Sequence, residues 1–161
     1  VRTPQALEGL DGLVIPGGES TTILKFLERD GFLEALAEFV RATPTFGTCA
    51  GTILLAKEVA NSTQRSLDAL DITVERNAYG RQNDSTILIE ETSLPGGPVE
   101  MVFIRAPRIS RIGAGVETLA RRNGDPVLVR SGHLLAATFH PELSEDLRTH
   151  ELFLDMVRKR S

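Results

Sequence analysis

One cysteine, Cys49, no tryptophan and one tyrosine stand among 161 residues. A single thiol cannot close an internal disulfide. The expected compartment is therefore a reducing cytoplasm, with the thiol either buried as a small apolar group or kept for chemistry. Long apolar runs are missing too. Stretches such as Ile53 to Ala56, four residues, are the longest, far short of the roughly 20 that a membrane span needs. Val1, Arg2, Thr3 and Pro4 lead in without the apolar core of a targeting segment. Basic excess is absent: 18 Lys plus Arg face 22 Asp plus Glu, a net charge of −4. With so few stacking rings, that balance argues against a nucleic-acid surface. A small molecule or another protein is the expected partner.

The length fits one domain. A chain of this size removes about 70% of its extended surface from water and needs no metal or disulfide staple. In the first half, short apolar runs alternate with amphipathic stretches, the pattern of a parallel sheet covered by helices and hence of the α/β class. Leu13 to Ile15 reads as a strand stopped by Pro16. A helix capped by Ser20, Thr21 or Thr22 follows, then a second through Phe32, Leu33, Leu36, Phe39 and Val40, ended by Thr43-Pro44. Thr45 and Phe46 end a strand, and past Gly47 a helix is predicted through Ile53, Leu54, Leu55 and Val59. The second half is richer in strands, at Ile72 to Val74, Thr86 to Ile89, Val99 to Ile104, Val127 to Val129 and Leu134 to Phe139. A closing helix is predicted from Ser144 to Lys159, capped by Ser144, with Glu145 and Asp146 in its first turn and basic residues through Arg160 at its end.

Three segments carry chemistry. Gly47-Thr48-Cys49-Ala50-Gly51 falls where a strand ends and a helix starts, a nucleophile elbow with sulfur in place of oxygen. The flanking glycines permit close packing, the helix start favours thiolate, and the Ala50 N–H points at any oxyanion formed on a carbonyl attacked by Cys49. A buried structural cysteine is the alternative reading of the pentapeptide alone. His140-Pro141-Glu142 follows a strand, and in an extended chain residues two apart face one side, so carboxylate and imidazole can meet. The bland alternative is a strand-end histidine beside a solvated glutamate. Pro16-Gly17-Gly18-Glu19-Ser20 is a strand-to-helix turn whose glycine N–H groups can approach an oxyanion. His133 and His150 read as surface or turn histidines, and Arg121-Arg122 as a solvated face.

Five stretches make a resemblance specific: LVIPGGESTT from Leu13, FGTCAGTILLAKE from Phe46, VERNAYGRQNDS from Val74, VFIRAP from Val102 and FHPELSED from Phe139. Together they resemble the triad-type (class I) glutamine amidotransferases, and within them the glutaminase subunits of pyridoxal phosphate synthase. The resemblance implies a three-layer, flavodoxin-like fold, with a mostly parallel sheet and helices on both faces. It implies hydrolysis of L-glutamine to L-glutamate and ammonia by Cys49 as nucleophile, His140 as proton shuttle and Glu142 as its orienting partner. Gly18, Glu19, Ser20, Arg76, Ile104 and Arg105 would bind glutamine, and Gly17, Gly18 and Ala50 would form the oxyanion hole. No metal or cofactor is implied; a synthase subunit is the implied protein partner, in a hetero-oligomer. A glutaminase subunit of another pathway, or an inactive binding subunit, is the rival expectation. Family members begin with a GVLxLQG strand and a helix, so residues 1–161 are expected to be an amidotransferase domain short of about 30 N-terminal residues by this comparison. An interior strand, a glutamine beside the oxyanion hole and a partner-docking helix would be missing with them.

Overall fold

A computed structural model describes residues 1–79 and 85–159. The chain runs β1 (Leu13–Ile15), α1 (Ser20–Leu27), α2 (Phe32–Ala42), β2 (Thr45–Thr48), α3 (Ala50–Leu55), β3 (Ala56–Val59) and β4 (Leu70–Glu75). It continues through β5 (Ser85–Glu90), β6 (Val99–Ile104), β7 (Arg108–Ile112), β8 (Glu117–Arg122), β9 (Asp125–Ser131), β10 (Leu134–Ala137) and α4 (Arg148–Arg158).

The main sheet has the order β1-β2-β10-β9-β8. Alternate residues of its strands feed two cores, as the strand period requires. Ile15, Leu134 and Ala136 pack with Leu24, Leu33, Leu36, Val40 and Leu54 of α1, α2 and α3. Phe46, Leu135 and Ala137 pack with Phe153 of α4 and with Met101 and Phe103 of β6. These are the three layers of the expected α/β architecture. The sheet expected to be mostly parallel is parallel only across β1, β2 and β10; β9 and β8 extend it antiparallel. A separate sheet β3-β4-β7 and the ribbon β5-β6 complete the fold. Among the described residues no helix is long and apolar enough to cross a membrane.

Three element boundaries differ from expectation for local reasons. The cap of α1 is Glu19, not Ser20 or a threonine: its carboxylate accepts from the N–H groups of Thr21 and Thr22, while the Ser20 hydroxyl donates to Gln64. The third helix stops at Leu55, because Ala56 to Val59 enters a parallel ladder with β4. Short apolar runs fit either structure, and pairing decides. The last helix begins at Arg148 rather than Ser144. The Ser144 hydroxyl accepts from Asp146 N–H, and the Asp146 carboxylate accepts from the N–H and guanidinium of Arg148, so local side-chain bonds replace the first helical turn. That guanidinium also donates to the carbonyls of Pro95, Gly97 and Pro98, pinning the turn before β6. Strands β7 and β8 were not anticipated, since their arginines break the apolar signal.

Candidate active site

Cys49 sits between β2 and α3 with φ 49° and ψ −105°, a conformation that side-chain-bearing residues rarely adopt. The surroundings impose it. Cys49 N–H donates to Ala137 O at 2.8 Å, and Thr52 N–H donates to Cys49 O at 3.0 Å. The buried Thr52 hydroxyl lies 2.6 Å from Ala137 O and 3.0 Å from Gly47 O, its one proton serving either, so it ties the start of α3 to the ends of β10 and β2. The two elbow glycines have the role expected of them. A Cβ on Gly47 would stand 2.7 Å from the Gly51 backbone, and one on Gly51 would stand 2.0 Å from Ile15 O.

His140 follows β10 at the head of a 3-10 turn, Pro141–Leu143, that returns Glu142 to it. Nδ1 meets Glu142 Oε1 at 2.7 Å, and His140 N–H donates to Val102 O at 2.8 Å. Nε2 is buried without a full hydrogen bond. The Cys49 side chain is the largest influence on the ring: with Glu142 it outweighs the opposing effect of burial and raises the His140 pKa from 6.5 to about 9. Gly17 closes the group. A Cβ there would lie 3.3 Å from Cys49 Cβ and 2.5 Å from His140 Cε1. Strand register explains the convergence: Ile15 aligns with Gly47 and Ala137 with Thr48, so sulfur, imidazole and the glycine turn leave the same ends of three adjacent parallel strands.

Beside the sulfur opens a cleft of about 420 Å³. Gly18, Glu19 and Ser20 line it together with Cys49, Ile53, Arg76, Asn77, Arg105 and Pro107. Gly18 has φ 142°, so a side chain at its position would strain the wall. Glu19 pairs with Arg76 at 3.2 Å, and the hydroxyls of Thr21 and Thr22 hold its carboxyl down to about 2. Arg105 has no ion pair among the described residues and adopts a positive φ of 45° at the rim. Chemically, the cleft offers a nucleophile with an adjacent proton carrier, and cations suited to a substrate carboxylate.

The SNO glutamine amidotransferase family matches residues 1–159. The chain belongs to that family. Two relatives, each named pyridoxal 5'-phosphate synthase subunit PdxT, come from Koribacter versatilis and Thermotoga neapolitana. They are 63% and 51% identical, each across 98% of this chain and across 82% and 85% of their own lengths. A crystal structure of a glutamine amidotransferase superposes with a TM-score of 0.92 at 47% identity, covering 98% of this chain and 85% of that one. Another glutamine amidotransferase structure, from Thermotoga maritima, superposes with a TM-score of 0.59 over 96% of this chain and 66% of that one. At 16% identity it shares the fold alone.

Within this SNO family member, Cys49, His140 and Glu142 lie together, and Gly18, Glu19, Ser20, Arg76 and Arg105 line one cleft. Gly17 abuts the cysteine and histidine instead of the cleft wall. Ile104 directs its side chain to solvent; only its carbonyl approaches, accepting from Cys49 Sγ at 3.9 Å. Ala50 is buried as the first residue of α3, where its N–H belongs to the turn without intrahelical acceptors. Asn77, Pro107, Ile53 and Thr52 were not anticipated. The only signal for Asn77 and Pro107 was their place beside Arg76 and near Arg105, within the VERNAYGRQNDS and VFIRAP stretches. Residues 80–84 of the first of these stretches lie outside the described residues.

Proposed function

We propose that the chain is the glutaminase subunit of a pyridoxal 5'-phosphate synthase, hydrolysing L-glutamine to L-glutamate and ammonia for a synthase subunit. The observation that carries this reading is that a single methyl group added at Gly17 would meet both Cys49 and His140, with Glu142 bonded to His140 Nδ1. The family and the names of the relatives support it.

Glutamine enters the cleft with its α-carboxylate on Arg105 and its carboxamide over Cys49. The thiolate attacks the amide carbon, and the oxyanion takes the N–H of Ala50 and of the Gly17-Gly18 turn. His140, a cation up to about pH 9, gives its Nε2 proton to the departing nitrogen; the C–N bond breaks, ammonia leaves and a thioester remains. The now neutral imidazole takes a proton from water as the water oxygen attacks the thioester. Collapse releases glutamate and restores the sulfur–imidazolium pair. Glu142 orients the ring and stabilises its charge throughout.

A partner-facing surface adjoins the cleft. Ile87 and Ile89 on the open face of β5 are 64% and 73% exposed, and Ile104 and Leu143 are exposed beside them on β6 and the 3-10 turn. Glu100, aligned with Ile89, and Glu145, next to the Ser144 that bonds Glu100, have no cationic partner among the described residues, so the surface fits an apolar subunit face with a basic border. We assign it to the synthase subunit, since ammonia released next to a covered mouth is kept from bulk water. Glutamate release measured with and without the synthase subunit tests the reading. Wild type turns over faster with the partner, and Cys49→Ala loses at least about a thousandfold. Undiminished turnover in Cys49→Ala rejects the nucleophile.

A further inference from the structure

Arg122 was expected on a solvated face. It is 8% exposed, at the end of β8, with no carboxylate partner among the described residues and with a buried Nε lacking a hydrogen bond. Its guanidinium instead lies between two rings, 5.0 Å from the centroid of Tyr79 and 4.6 Å from that of Phe103. Among the described residues only ring faces hold this buried cation, which carries a desolvation cost that an apolar side chain of equal length would avoid. The position is therefore informative.

The two rings sit on the two segments that carry cleft residues. Tyr79 lies three residues after Arg76 and two after Asn77 in the segment following β4, and Phe103 lies two residues before Arg105. Phe103 is 1% exposed and packs edge-on against Phe139, the residue before His140, with centroids 5.9 Å apart. Arg105, two residues on, holds a positive φ of 45°, a conformation that persists only where the surroundings impose it. Another tether in this region, Arg108 to Glu75 at 3.6 Å and to Asp125 at 3.0 Å, fastens β4 to the start of β9. Arg108 follows Arg105 by three residues and Glu75 precedes Arg76, so this is a second tether between the same two segments.

We propose that Arg122 is a positioning residue for the substrate: one guanidinium clamped between Tyr79 and Phe103 helps set the spacing between the segment that carries Arg76 and Asn77 and the segment that carries Arg105. It touches neither substrate nor sulfur, and it acts on how tightly an amino-acid ligand is held, not on the reaction at Cys49. The inference rests on the proposed glutaminase reading.

The test follows alkylation of Cys49 in the full chain by a diazoketone analogue of glutamine, read by intact mass, with L-glutamine as protectant. Two quantities separate: the glutamine concentration giving half protection, and the limiting alkylation rate at saturating reagent. Arg122→Met raises the first about fivefold to tenfold, the effect of losing a desolvated cation–π pair, and leaves the second within about twofold. Tyr79→Leu, which removes one ring and leaves Arg122 on Phe103, shifts the first quantity the same way, and Arg122→Lys falls between wild type and Arg122→Met. A clamp that served stability alone would lower the melting temperature without moving half protection. Half protection within twofold of wild type in folded Arg122→Met and Tyr79→Leu overturns the proposal. Should Arg122→Met not fold, Tyr79→Leu and Arg122→Lys decide in the same way. Wild-type labelling that glutamine does not slow instead overturns the glutaminase reading, and this inference with it.

Discussion

Cys49, His140 and Gly17 leave three adjacent strands whose spacing is set by backbone ladders and by glycines packed against backbone. Arg76, Asn77 and Arg105, which line the same cleft, stand on segments outside that sheet. Side chains hold them there: the ion pairs of Arg108, the ring clamp of Arg122 and the pair between Arg76 and Glu19. The atoms proposed to react are thus placed by the least adjustable part of the molecule. The groups suited to binding are placed by contacts that single substitutions can loosen one at a time. A close-packed interior transmits any added volume, whereas side-chain tethers give way locally.

The contrast is open to attack from either side. On the backbone-held side, Gly51→Ala forces a Cβ to within 2.0 Å of Ile15 O and must part α3 from β1. Chemical denaturation is expected to show a loss of about 3 kcal/mol, with glutamate release falling alongside it. A loss under about 1 kcal/mol would mean that this packing has slack. Next in size, Glu142→Gln removes one of the influences that raise the His140 pKa to about 9. In the proposed mechanism the imidazolium protonates the leaving nitrogen, so activity is expected to fall as pH rises through about 9 in wild type and at a lower pH in the variant. The same sign holds for folding: the charged ring contributes stability that is complete below 6.5 and disappears as pH passes about 9. An alkaline limb unmoved in Glu142→Gln would remove the carboxylate from the mechanism. The smallest effect on the chain itself belongs to the double substitution Ile87→Asp with Ile89→Asp on the open face of β5. Its stability is expected within about 0.5 kcal/mol of wild type, while binding to the synthase subunit weakens at least about tenfold by titration calorimetry. Unchanged affinity would move the partner surface elsewhere.

Legibility followed the range of the forces involved. The elbow could be read because its glycines and cysteine are neighbours in sequence and their sterics are local; the His140–Glu142 pair was expected on an extended chain, whereas the 3-10 turn Pro141–Leu143 closes it, and the two residues meet because they are only two apart. The start of α4 was misread because Ser144 and Asp146 use their side chains in a turn that competes with helix. Strand β3 was read as helix because its ladder partner, β4, lies beyond a loop. Arg122 was read as a solvated cation because the rings that enclose it come from β6 and from the segment after β4, neither adjacent to it in the chain. Asn77 and Pro107 were passed over because lining a cavity leaves no periodic signature.

By itself the order of amino acids determined which short segments turn, cap or expose a reactive group, since those outcomes depend on the bulk and hydrogen-bonding reach of residues a few positions apart. Tertiary structure alone decided that β1, β2 and β10 are neighbours and parallel, which brings Gly17, Cys49 and His140 within contact, and that Arg122 turns inward. Strand order is set by which arrangement buries both faces of the sheet, and that is a property of the whole chain, invisible in any window of it.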